Sequence, residues 1–176
     1  MSAASTGQLS DALDPQARLF ALDPTSHGFG FVVLEGPSNV VDWGLAYVKP
    51  NTHVKCLERI AELLAWYVPA VVVVEDWRSK GFRRSARVRK LLQAVVQFTE
   101  AADARAERIP KGHVQHTFAE FQATTKEQIA SAIALRFPEL AVRKPPPRKT
   151  WSSEDERMAI FDAMALALTL FNSTGD

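Results

Sequence analysis

A single cysteine, Cys56, occurs in 176 residues. One thiol cannot close an internal disulfide, which fits a reducing compartment and leaves packing to hold the fold. No apolar run approaches the roughly 20 residues that span a bilayer. The N-terminal stretch MSAASTGQLSDALDPQ lacks a basic region and an apolar segment, so it is not expected to act as a secretory signal. A surplus of one charge is missing too. Lysine and arginine number 21 against 20 acids, a formal net charge of +1, so the total does not advertise a nucleic-acid partner. His53, His113 and His116 show no zinc-ligand spacing with the cysteine, which argues against a structural zinc. There is no glycine-rich phosphate loop of the kind nucleotide hydrolases use.

The chain does have the material for one globular domain, with 47% hydrophobic and 23% charged residues, enough to bury a proper core at this length. Residues 1–16 are small and polar and are expected to form a disordered tail. A single domain is expected over residues 17–172, with a short tail at 173–176. RLFALD, GFGFVVLEG and NVVDWGLAYV are apolar runs separated by Asp-Pro, His-Gly and Gly-Pro turn signals, the pattern of an antiparallel meander. Cys56, Ile60, Leu63, Leu64 and Tyr67 then form a helical stripe that Pro69 ends. AVVVVE is short and wholly apolar, as expected for a central strand buried on both faces. A long helix is expected over residues 88–106, then a short strand at ERIP, a short helix over residues 113–121, and a helix capped by Thr125. KPPPRK is a stiff connector. A last helix is expected from about residue 153 to 170, capped by Ser152 or Ser153. This order predicts a mixed α/β sheet, three antiparallel strands then parallel ones, flanked by helices.

Three acids stand where apolar structure ends or is interrupted: Asp23 closes RLFALD, Glu75 closes AVVVVE, and Asp162 breaks MAIFDAMALAL. A carboxylate is costly to bury unless it is paired or bound to metal. Each has an ordinary explanation taken alone, namely an Asp-Pro turn, a pair with Arg78, or a buried arginine partner. Together they suggest an oxygen-only site suited to Mg²⁺ or Mn²⁺. Two such ions about 4 Å apart serve phosphodiester hydrolysis. The positive charge is clustered. Arg78, Lys80, Arg83, Arg84, Arg87, Arg89 and Lys90 follow Glu75 with no acid among them, and residues 143–149 add four more basic side chains. Trp77 and Phe82 flank the first cluster, a pairing suited to base stacking beside phosphate contact, although Trp77 could equally pack on the sheet edge. His27 reads as a surface turn histidine.

These motifs resemble the RuvC-type Holliday junction resolvases of the RNase H-like superfamily over roughly residues 18–171. LDPTSHGFGFVVLEG resembles the family's opening strand-turn-strand, VVVVED its second acidic strand, FDAMALALTL its closing acid-bearing helix, and TTKEQIASAI its lysine-bearing helix start. The resemblance implies an RNase H-like fold and a homodimer that cuts four-way DNA junctions with two Mg²⁺ or Mn²⁺ ions, working in the cytoplasm on the nucleoid. It places Asp23, Glu75 and Asp162 at the metals. Trp77, Arg78, Lys80, Phe82, Arg83, Arg84, Arg87 and Lys126 are the corresponding candidates for DNA contact.

The sequence departs from the family in having no acid or histidine at Met158 or Ala159. If the helix begins near residue 153, seven residues at about 100° each bring Asp155 within about 20° of the face of Asp162, and Glu156 falls about 120° away. Asp155 is therefore the expected fourth metal carboxylate; service to the helix dipole is the ordinary alternative. A dimer surface is expected on the long helix around Leu91, Leu92, Val95, Val96 and Phe98, whose apolar residues cover more than one face. Two other readings use the same fold: a nuclease for RNA–DNA hybrids, and a junction-binding protein without a complete metal site. An actin-like ATPase is disfavoured by the chain length and the missing phosphate loop.

Overall fold

The computed structural model describes residues 13–50 and 52–174. Strands β1 (Arg18–Pro24), β2 (Gly28–Glu35) and β3 (Asn39–Tyr47) pair antiparallel, as the turn signals between them predict. Helix α1 (His53–Tyr67) leads to β4 (Val71–Glu75), and α2 (Ala86–Ala101) to β5 (Arg105–Ile109). Both of these strands run parallel to β1, giving the sheet order β3-β2-β1-β4-β5. Four helices follow: α3 (Lys111–Ala119), α4 (Lys126–Arg136), α5 (Pro138–Ala141) and α6 (Met158–Thr174).

Each central strand is buried on both faces, and its alternation sorts side chains into two cores. Phe20, Leu22, Val72 and Val74 face α1 and α2. Leu19, Ala21, Val71 and Val73 face α6, with α3, α4 and α5 packed beyond it. The α1 stripe is buried as its spacing predicts, and Cys56 lies within it. Helix α6 is apolar around nearly its whole circumference, the mark of a helix enclosed by protein; Ala159, Ala163 and Ala167 let it lie close against the sheet.

Gly30 sets how closely α6 can approach. A methyl group there would stand 2.5 Å from the carbonyl carbon of Ala159, and backbone yields poorly. Gly30→Ala is expected to cost about 1–3 kcal/mol as overpacking, read as a melting temperature lower by several degrees. Because Gly30 pairs with Asp23 across β1 and β2, the same change should also disturb the position of α6 beside that acid.

Four expectations are corrected. Helix α2 ends at Ala101, because residues 105–109 pair with β4 as a strand. Helix α6 starts at Met158, not near residue 153, and it continues to Thr174. The Asp155 carboxylate accepts from the Arg157 amide, and the carbonyls of Asp155, Glu156 and Arg157 accept from residues 158, 159 and 160. That tight turn is where the chain enters the helix, so Ser152 and Ser153 do not cap it. The expected dimer stripe is largely internal, since Leu91, Leu92, Val95 and Val96 pack in the core and only Phe98 is exposed. The cap at Thr125 is as expected, with Gln128 closing a capping box. Most of the expected N-terminal tail, residues 1–12, lies outside the described residues.

Candidate active site

Strand periodicity and register bring two of the three acids together. Asp23 continues the Leu19–Ala21 row and Glu75 the Val71–Val73 row, so both side chains belong to the α6 face. Ala21 pairs with Val73 across the parallel strands. Two residues further on, Asp23 and Glu75 leave the sheet side by side at its C-terminal edge. Helix α6 crosses β1 and β2 there and contributes Asp162. All three line one cleft of about 690 Å³. Asp23 is buried, and Glu75 and Asp162 are partly buried.

Two basic side chains stand among the acids. The Arg84 guanidinium lies 2.5 Å from Asp23 and 3.5 Å from Glu75, and it also donates to the Pro24 carbonyl. The Lys126 ammonium lies 2.8 Å from Asp162 and 2.6 Å from Glu154. These pairs do not neutralise the cluster fully. Burial pushes the Asp23 carboxyl above the usual range, against the pull of Arg84 and Lys126. Burial raises Glu75 too, and the charge of Asp23 adds to it. Asp162 is pushed up to about 7 by burial and then by Asp23, with Lys126 opposing. Burial works against the charged forms of Arg84 and Lys126, but the surrounding carboxylates outweigh it and hold both firmly protonated.

Among the described residues, no three acidic, histidine or cysteine side chains are drawn together tightly enough to hold an ion as they stand. By donor chemistry the set nevertheless fits a hard divalent cation. The donors are carboxylate oxygens on three rigid elements, and burial raises the Glu75 and Asp162 carboxyls, with the charge of Asp23 adding to both. Arg84 and Lys126 supply positive charge to the same carboxylates that would hold such an ion.

The remaining candidates are distributed unevenly. Asp155 lines the cleft, but its carboxylate binds Arg157 at 2.6 Å, an interaction that holds it below the usual range. Residue 155 precedes the helix, so Asp155 shares no helical face with Asp162. Of the three acids before α6, Glu154, which the helical-face argument did not select, is the one that joins Asp162 at Lys126. Glu156 instead meets the exposed His27 at 2.6 Å, tying the turn after β1 to the approach to α6. Trp77 and Phe82 are only 9% and 8% exposed and join the core under α2. Arg78 and Arg108 stack over Trp77, and Arg89 stacks over Phe82. The two rings anchor the basic loop and do not present their faces to a ligand. Arg83 and Arg87 line the cleft beside Arg84, and Arg87 also donates to the Thr25 carbonyl. Arg78 and Lys80 are exposed outside it. Lys111, at the start of α3, lines the cleft as well; its place after β5 gave no signal in the sequence.

No family model matches the sequence, and no curated protein matches it. Solved structures do. A Thermus thermophilus RuvC structure aligns with a TM-score of 0.61 at 21% identity, covering 90% of this chain and 96% of that one. T. thermophilus RuvC in complex with a Holliday junction substrate aligns at 0.62 and 19% identity over the same shares. The fold is that of the RuvC-type resolvases. The yeast mitochondrial Holliday junction resolvase Ydc2 has it too, with a TM-score of 0.61 at 12% identity over 91% of this chain and 80% of its own. The likeness covers about nine-tenths of the chain, and at these identities the fold is what it establishes.

Proposed function

We propose that this protein is a metal-dependent endonuclease that resolves four-way DNA junctions. The observation that carries the reading is the meeting of Asp23, Glu75 and Asp162, from β1, β4 and α6 of a RuvC-type fold, in one cleft rimmed by Arg83, Arg87 and Lys111. The chemistry expected of bound Mg²⁺ or Mn²⁺ is activation of water and stabilisation of the leaving oxygen. Asp23, Glu75 and Asp162 would hold the ions, with Glu154 the nearest further carboxylate. The chain's own part is to fix those oxygens on rigid elements and to draw the backbone phosphate in. Lys126 and Arg84, held protonated, are placed to pass from carboxylate to phosphate as a strand enters. Resolution needs two symmetric cuts, so the protein would act as a homodimer, expected at about twice 19.5 kDa by light scattering. No helix among the described residues is long and apolar enough to cross a membrane.

The test is a cleavage panel of a four-way junction, a flap, a linear duplex and an RNA–DNA hybrid, each with Mg²⁺, Mn²⁺, Ca²⁺ or EDTA. Paired cuts in the junction with the first two ions, binding without cutting in Ca²⁺, and no cutting in EDTA are expected. Full activity in EDTA would sink the metal reading; cutting of the hybrid alone would move the assignment to a hybrid nuclease.

The basic cleft rim has its own expected result. Arg83→Ala combined with Arg87→Ala should weaken binding to every DNA form. The slope of log affinity against log salt should flatten by up to about 0.9 for each duplex phosphate that the variant no longer neutralises. An unchanged slope would place these arginines off the DNA.

A further inference from the structure

Trp77 and Phe82 are buried, so an aromatic face open to a base has to lie elsewhere on the surface. The stretch before α6 supplies one. Trp151 is 81% exposed at the tip of a short turn. The Ser152 amide donates to the Lys149 carbonyl at 3.0 Å, and Arg148 Nε donates to the Ser152 carbonyl at 2.8 Å. The ring is thus held on a closed turn. The Lys149 ammonium stands 5.7 Å from the ring centroid. Ser153 and Glu154, two and three residues further on, line the cleft that holds the carboxylates. Residues 140–153 contain four basic side chains and no acid, and Pro145 is buried, anchoring the segment.

We infer that Trp151, with Lys149 and Arg148, is a second DNA contact at the mouth of the cleft, stacking on an unpaired nucleobase beside the strand whose phosphate meets the carboxylates. The inference rests on the nuclease reading of that cleft. A lone ring among cations suits a base beside a phosphate, because the ring supplies a stacking face and the ammonium a counter-charge. It does not suit an apolar protein partner, since Arg148, Lys149 and Thr150 around it are exposed and polar. An open stacking face is available only on bases not already stacked inside a continuous duplex. The contact therefore favours junction centres and single strands. Trp66 is a built-in comparison. It is 79% exposed but sits on α1, behind the sheet from the cleft.

Fluorescence anisotropy in EDTA, where cutting is suppressed, tests this with a four-way junction, a single-stranded oligonucleotide and a duplex. Trp151→Ala is expected to bind the junction and the single strand about tenfold or more weakly, and the duplex within about twofold. Trp151→Phe should recover most of the loss, and Trp66→Ala should match the wild type. A 2-aminopurine at the junction centre should respond to the wild type and much less to Trp151→Ala. Wild-type affinity of Trp151→Ala for all three forms, an equal loss on the duplex, or no recovery with phenylalanine would overturn the inference. A wild-type protein that does not prefer the junction would count against the resolvase reading instead, and the single-strand arm would still report on Trp151.

Discussion

Asp23→Asn, Glu75→Gln and Asp162→Asn are each expected to lower the rate of junction cutting by about 100-fold or more, because each removes a charge that a metal mechanism uses for several kcal/mol of transition-state stabilisation. Junction affinity should change little, since it rests on lysines and arginines. The three acids lie on separate elements that converge on one cleft, so comparable losses at all three would show a shared centre. Asp155→Asn is the internal control. Its carboxylate is spent on Arg157, and its loss should cost no more than a few-fold in rate. A severe defect in Asp155→Asn with mild ones in the other three would reverse the assignment. Single-turnover cleavage with matched binding curves separates these outcomes, and a thermal melt of each variant confirms that it is folded.

The sites of Asp23 and Glu75 were legible in the sequence because strands have a period of two. Once RLFALD and AVVVVE are strands in one sheet, each closing acid falls on the same face as every second residue before it. Asp162 was legible because a single acid in an otherwise apolar helix has few places to go. The beginning of that helix was not legible. Ser152 and Ser153 followed by three acids imitate a helix start, and the competing turn made by Asp155 onto the Arg157 amide is a local hydrogen-bond choice that residue types alone do not decide. Starting the helix near residue 153 put Asp155 on the face of Asp162 and so favoured it over Glu156, whereas the helix begins at Met158. The aromatics misled for a related reason. Trp77 and Phe82 lie beside arginines in the sequence, but a ring's composition of neighbours does not say which way the ring turns. Here both turned inward and carried the arginines on their outer faces. Arg84 was expected on DNA, and its place between Asp23 and Glu75 depends on a loop path that no periodicity describes.

Stability should fall as pH rises in the metal-free protein, and divalent metal should restore it. The folded-state carboxyls of Asp23, Glu75 and Asp162 are all raised above their ordinary values, first by burial. The folded state therefore holds protons that the unfolded chain has already released. Unfolding then releases protons, and stability declines with pH between the ordinary carboxylate range near 4 and the Asp162 value of about 7. The lowered Asp155 acts oppositely: its contribution is present above the ordinary carboxylate range and is lost only as the pH drops through its folded value, so it does not cancel the decline. The expected melt in EDTA is higher at pH 5.5 than at pH 8, with the difference reduced in Asp162→Asn. Mn²⁺ at about 100 times its dissociation constant should add about 2.7 kcal/mol, or roughly 5–10 °C for a domain of this size. The gain should be larger at pH 8, where protons no longer compete for the carboxylates. Equal gains at both pH values, or a metal-free protein that is more stable at pH 8, would mean that the three acids do not form the charged, cation-seeking cluster on which the nuclease assignment depends.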